Sequence, residues 1–230
     1  MDSILLKNYR ILKKIETNSL FDVYEALDLK GNKVVIKTTS DTFFLNKILI
    51  KEYSQLMKLE NQFIPKVVEI LENKALILEF IPGYNLKEIR VKNELEWREI
   101  RNIFLQLLDL ISYLHKNGVI HGDIKPENII YDRDNIYLID FGSSIVKGEK
   151  VAILQYTPSF CEQNSCSVKI KAEKIDYYCL FRVFLYLLRG DRNITFENLP
   201  LKLENFIRAG LEKKLYEPEE ILDLWDYLEI

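Results

Sequence analysis

Apolar and polar positions alternate in short runs across residues 9–80, the two-residue period of half-buried strands. Tyr9 to Ile15 and Phe21 to Leu27 are two such runs. Lys30-Gly31-Asn32 then supplies a turn into the β-rich Lys33-Val34-Val35-Ile36-Lys37. From Phe44 to Leu59 the period lengthens, and Leu45, Ile48, Leu49, Leu56 and Leu59 fall on one face of a helix. Glu52 sits in the middle of that stripe. A carboxylate there is costly to bury unless a cation meets it, and Lys37 is the nearest candidate. The alternative is a Glu52 that rims the stripe and stays solvated. Val67 to Ile70 and Ala75 to Phe80 read as a second hairpin around Glu72-Asn73. Its second strand runs into Ile81-Pro82-Gly83-Tyr84-Asn85, a breaker-rich connection and the best candidate for a boundary.

Beyond that boundary the helical period dominates. Trp97, Ile100, Phe104, Leu107, Leu108, Ile111 and Leu114 define a long amphipathic helix, closed by Asn117-Gly118. Ile129 to Tyr131 and Ile136 to Ile139 read as two short strands around Asp132-Arg133-Asp134-Asn135. Ile175 to Leu188 is apolar nearly all round, as expected of a helix buried in a core. Leu203 to Leu211 and Pro218 to Leu228 read as closing helices.

Composition narrows the picture. Hydrophobic residues at 48% and charged residues at 29% are those of a globular chain, not a disordered one. Thirty-two basic against 35 acidic residues give a net charge of −3, so bulk attraction to nucleic acid or to an anionic membrane is not indicated. Three cysteines, Cys161, Cys166 and Cys179, have no metal-ligand spacing and read as thiols in a reducing compartment. Met1-Asp2-Ser3 lacks the basic run of a signal peptide, and the apolar stretch Tyr177 to Leu188 is too short to span a bilayer. A cytoplasmic protein is the resulting expectation.

The chemistry is concentrated between the long helix and the two short strands. His121-Gly122-Asp123-Ile124-Lys125-Pro126-Glu127-Asn128 is followed twelve positions after Asn128 by Asp140-Phe141-Gly142. Asp123 can accept a proton, Lys125 can neutralise phosphate, and Asn128 with Asp140 can supply oxygen ligands to Mg²⁺. The flanking strands would hold the loop on one side and Asp140 on the other. The run resembles the catalytic and magnesium loops of eukaryotic-like protein kinases, H-R-D-x-K-x-x-N followed by D-F-G.

The resemblance extends over residues 9–230. It implies an α+β, two-lobed kinase-like fold: an N-lobe of antiparallel sheet plus one helix (1–80), a hinge (81–86) and a mainly helical C-lobe (87–230), forming one domain. It also implies ATP and Mg²⁺ as cofactors, and a protein serine or threonine hydroxyl as acceptor, because a Lys at the position of Lys125 is the Ser/Thr pattern. Asp123 would be the base and Lys125 would steady the transferring phosphoryl group. Lys37, ending Val34-Val35-Ile36-Lys37, would hold the α- and β-phosphates, with Glu52 orienting it by an ion pair. Asn128 and Asp140 would hold the magnesium, and the helix from Asp176 onward would support the catalytic loop. Ile15 and Val23 would roof the adenine pocket, with Val35 and Ile130 as its sides and floor. Leu78 would be the gatekeeper, and Glu79 and Ile81 would offer hinge backbone groups.

Two departures bear on activity. The glycine-rich loop of the family is here Glu16-Thr17-Asn18-Ser19-Leu20-Phe21-Asp22-Val23, without glycines. Asn18, which tolerates positive φ, and the small Ser19 are the residues left to make the phosphate turn. Gly122 replaces the Arg that in many relatives pairs with a phosphorylated activation segment, so activity is expected not to depend on phosphorylation at Ser143, Ser144, Thr157 or Ser159. The first alternative is a kinase of the same fold acting on a small molecule or nucleic acid; the second is a nucleotide-binding pseudokinase. Transfer to a generic protein, transfer only to an added metabolite or RNA, or no transfer at all separates the three.

Overall fold

The structure is a computed structural model that describes residues 7–17, 21–39, 43–72, 74–92, 95–147, 174–192, 195–212 and 215–228. They group into two compact units, Met1–Pro82 and Gly83–Ile230.

The first unit is a five-stranded antiparallel sheet with one helix. Strands β1 (Arg10–Thr17), β2 (Phe21–Leu27), β3 (Lys33–Thr39), β4 (Val67–Leu71) and β5 (Ala75–Glu79) lie in the order β1-β2-β3-β5-β4. Side chains alternate across the sheet, so register decides which residues share a face. Ala26, Val34, Ile36, Ala75 and Ile77 form a buried cluster on one face. The opposite face follows from the pairs Val23 with Lys37, Lys37 with Leu76, and Val35 with Leu78. Helix α1 (Phe43–Leu56) buries Leu45, Ile48, Leu49 and Leu56. It stops three residues short of the predicted end, so Leu59 lies outside it.

The second unit is mainly helical. Helix α2 (Leu86–Lys92) has no counterpart in the predicted elements. Helix α3 (Trp97–Lys116) is capped at its start by the Glu99 carboxylate, which accepts from the Glu96 N–H at 2.9 Å. At its end Gly118 takes φ +72°, the left-handed closure that glycine permits. Tyr84-Asn85, expected as irregular connection, is strand β6, paired to β8 (Ile129–Tyr131), which in turn pairs with β9 (Ile136–Leu138). Two further two-residue strands, β7 (Val119–Ile120) and β10 (Ile145–Val146), pair antiparallel and brace the loop between them.

Helix α4 (Lys174–Arg189) is buried from Ile175 through Leu187. Each fully buried Leu or Phe of this kind contributes about 1.5–3 kcal/mol of apolar burial. Phe104 of α3 packs against Phe181 and Phe184 of α4, Phe206 of α5 (Leu201–Leu211) and Trp225 of α6 (Pro218–Asp226). Helix α5 approaches so closely that a Cβ on Gly210 would lie 2.2 Å from the Phe181 ring. Among the described residues, no helix is long and apolar enough to cross a membrane.

Candidate active site

In the first unit, Lys37 and Glu52 meet as a buried ion pair. The ammonium is 2.7 Å from Glu52 Oε2, with Lys37 6% exposed and Glu52 0% exposed. The mid-stripe carboxylate is therefore buried and paired, not solvated at the rim. The Lys37 ammonium also lies over the Phe21 ring at 4.9 Å. Register puts Val23, Val35 and Leu78 on the same sheet face as Lys37. Ile15 is 49% exposed and falls where β1 slips register against β2. The Glu79 N–H is spent on the Lys66 carbonyl at 2.9 Å, which leaves its own carbonyl as the backbone group it can offer. Ile81 is buried. Asn18 lies outside the described residues, as do Thr157, Ser159, Cys161 and Cys166. Cys179 is buried in α4 and forms no disulfide among the described residues.

In the second unit, the loop after β7 gathers Asp123, Lys125 and Asn128. Lys125 Nζ donates to Asp123 Oδ2 at 2.7 Å. Asn128, on a one-turn 3-10 helix (Pro126–Asn128), uses Nδ2 to donate to the Asp123 carbonyl at 2.9 Å. That commits the amide nitrogen inward and leaves Oδ1 as the atom able to ligate a cation. Asp140 follows β9 at φ +63°, a left-handed conformation that Asp tolerates better than most residues. Such strain persists only where surrounding structure enforces it. Ile130 is partly buried on β8, whose neighbour β9 leads directly to Asp140.

The loop's backbone is held from beneath by the head of α4, the helix that the kinase resemblance marks as the loop's support. Asp176, 0% exposed on α4, accepts the N–H of His121 and the N–H of Gly122, each at 2.8 Å, and bonds His115 Nε2 at 2.9 Å. Burial acts to raise the Asp176 carboxyl, but the His115 hydrogen bond and charge, with help from the loop, bring it below the usual carboxylate range. The available signal was a lone carboxylate at the head of an otherwise apolar helix, the signal that singled out Glu52. Gly122 has φ +77°, so any side chain there would sit in the left-handed region, at a cost of about 1–2 kcal/mol. Asp176→Asn would set an amide against a backbone donor. We expect it to lower stability by about 1–3 kcal/mol, read as a reduced denaturant midpoint.

His121 is buried against Phe141, with ring centroids 4.8 Å apart at 70°. Its Nε2–H donates to the Ile139 carbonyl at 3.2 Å, and Nδ1 accepts the Asp123 N–H at 3.3 Å. That pattern is the neutral imidazole, and burial holds its pKa below the ordinary 6.5. A base whose folded pKa is depressed stays neutral when folded while the unfolded chain takes up a proton. Its contribution is therefore present above the unfolded value and lost as pH falls below about 6.5. The melting temperature should drop between pH 7.5 and 5, and His121→Gln should flatten that slope.

The family and relatives can be set beside this geometry. A family model for the protein kinase domain matches residues 9–219, and the chain belongs to the protein kinase family. The human hormonally up-regulated neu tumor-associated kinase is 32% identical over 234 residues, covering 92% of this chain and 31% of that protein. Mouse sperm motility kinase 3A is 30% identical over 191 residues, covering 79% and 38%. An Arabidopsis thaliana SNF1-related protein kinase catalytic subunit alpha, KIN12, is 29% identical over 217 residues, covering 89% and 44%. The chain thus spans less than half the length of these relatives. Among solved structures, the Cydia pomonella granulovirus kinase PK-1 matches with a TM-score of 0.76 at 20% identity, covering 96% of this chain and 95% of that one. The α+β, two-lobed kinase fold expected from the sequence is the fold observed.

Proposed function

We propose that this chain is an ATP- and Mg²⁺-dependent protein serine/threonine kinase. The observation that carries the proposal is the loop arrangement in which Lys125 and Asn128 both bond Asp123. Phosphoryl transfer asks for positioning and for neutralised charge more than for covalent chemistry, and the chain has a group for each task. Asp123 accepts or orients the proton of the acceptor hydroxyl. Lys125, held against Asp123, places an ammonium where the transferring phosphoryl group gathers negative charge. Lys37 holds the α- and β-phosphates, and Glu52 fixes its direction. Val23, Val35, Leu78, Ile130 and Ile15 supply apolar contact to the base, and the Glu79 carbonyl and Ile81 amide are its backbone partners.

Asn128 Oδ1 and the Asp140 carboxylate are hard oxygen donors, a set that suits Mg²⁺ and few competing metals. When bound there, the ion would supply neutralisation of the phosphate charge. The serine/threonine class is supported by Lys125 and by one relative, the Arabidopsis thaliana CBL-interacting serine/threonine-protein kinase 18, 30% identical over 154 residues, covering 63% of this chain and 30% of that protein. A cytoplasmic location agrees with the absence of a membrane-crossing helix among the described residues. The single-domain arrangement, with an N-lobe at 1–80, a hinge at 81–86 and a C-lobe at 87–230, belongs to the same proposal.

The test is transfer of the γ-phosphoryl group from labelled ATP to a serine-containing protein, with and without Mg²⁺. Mg²⁺-dependent labelling of serine or threonine is the expected result. Labelling that needs an added metabolite or RNA would redirect the proposal to the other acceptor. No labelling, together with no nucleotide-induced thermal shift, would overturn it.

A further inference from the structure

Glu127 lies between Lys125 and Asn128 on the catalytic loop, and its surroundings are not used by the chemistry above. Its Oε1 meets Lys87 Nζ at 3.1 Å and also the Arg192 guanidinium. Two cations therefore share one carboxylate oxygen, while Oε2 is buried, turned away from solvent. Lys87 and Arg192 stay 51% and 35% exposed.

A third cation lies beside them. Arg90, at the end of α2, packs its guanidinium flat on the backbone of Gly190: a Cβ there would be 3.0 Å from Nη2. Gly190, at φ +82°, opens that space just after α4. The Arg90 Nε is buried without a hydrogen-bond partner, and among the described residues no carboxylate pairs with its guanidinium. The phenol of Tyr186, on a buried ring, feels the charges of Glu127, Arg192 and Arg90 together. Arg182 anchors the assembly by donating from Nη2 to the Arg192 carbonyl at 2.7 Å.

We propose that Lys87, Arg90 and Arg192 form an anion-binding surface next to the catalytic loop, and that it takes an acidic or phosphorylated side chain of the protein substrate. This deepens the kinase reading and rests on it. An unanswered Glu127 carboxylate would favour cationic groups in whatever binds beside it. Here its charge is answered from within by two cations, and among the described residues no carboxylate pairs with the third, Arg90. Paired guanidinium groups match the geometry of carboxylate and phosphate oxygens.

The test compares three serine peptides of equal length, flanked by glutamate, by phosphoserine or by lysine. The expected result is a kcat/KM at least about tenfold higher for the two anionic peptides, the effect of one charge-assisted hydrogen bond. Arg90→Gln should raise KM for those two about tenfold and leave kcat and the lysine peptide within about twofold. Arg90→Lys should recover part of the loss. If Arg90→Gln does not fold, Lys87→Gln is read in the same way. Binding of a fluorescent phosphopeptide, followed by anisotropy, separates the two layers of the argument. Arg90-dependent binding without transfer to any peptide would keep the anion surface and sink the kinase reading. Transfer with equal or lysine-favouring efficiency would overturn the anion surface and keep the kinase. So would tighter binding of a short RNA than of the phosphopeptide.

Discussion

Asp123→Asn should reduce phosphoryl transfer by about 10²–10⁴-fold, the usual contribution of a positioned general base, with an unchanged melting temperature. The two expectations separate because the side chains have the same shape. The carboxylate accepts from Lys125 Nζ at 2.7 Å and from Asn128 Nδ2 at 3.3 Å through one oxygen, Oδ2. An amide can keep its oxygen in that place, so the loop keeps its hydrogen bonds while losing its proton acceptor. Single-turnover labelling with saturating ATP is the appropriate measurement, because it reports the chemical step and not product release. Wild-type rates in the variant would remove Asp123 from the proposed chemistry.

Glu52→Ala should have the largest effect on stability, about 3–5 kcal/mol, because it leaves a buried ammonium without its carboxylate. Lys37 is 6% exposed and cannot recover hydration where it stands. Denaturant unfolding measures the loss, and the nucleotide-induced thermal shift should vanish with it. A companion variant isolates the cause. Replacing both partners by apolar residues of similar volume, Lys37→Met with Glu52→Leu, should restore most of the stability. It should not restore transfer, because no ammonium is left for the phosphates. Equal destabilisation in the single and double variants would mean that packing, not the uncompensated charge, carries the effect.

These two experiments probe residues that were legible at different depths. Glu52 announced itself: a carboxylate in a helical apolar stripe needs a buried cation, and Lys37 was close in sequence. Asp176 heads the helix that the kinase resemblance marks as the loop's support, yet its individual partners could not be read. Two of them are backbone N–H groups at His121 and Gly122, 55 and 54 positions away. A backbone donor carries no residue identity, so no side-chain pattern reveals it. Strand β6 escaped for a related reason, since two residues have no period to recognise. Helix α2 is short, and its start is hidden by the breaker-rich segment before it. The overhang of α1 came from Leu59, which continues the apolar period after the helical hydrogen bonds have ended.

The cation cluster at Glu127 shows the same division. Lys87, Arg90 and Arg192 are ordinary surface residues in sequence, and nothing in their spacing sets them side by side. Gly190 at positive φ and the buried ring of Tyr186 do that.

By itself, then, the sequence determined the kinds of groups present and their order. It held an acid, an ammonium, an amide and a second acid at kinase spacing, an upstream Lys with a mid-stripe Glu, and strands before helices. Those are local properties, carried by side-chain chemistry and by periods of two and 3.6 residues. Only the tertiary structure decided that Glu52 is sealed from water and that His121 is a neutral, doubly bonded ring. It also decided that Asp140 takes a left-handed backbone and that Asp176 holds the loop through two backbone donors. Burial and backbone hydrogen bonding depend on segments far apart in the chain, and they exist only once the core has closed around them.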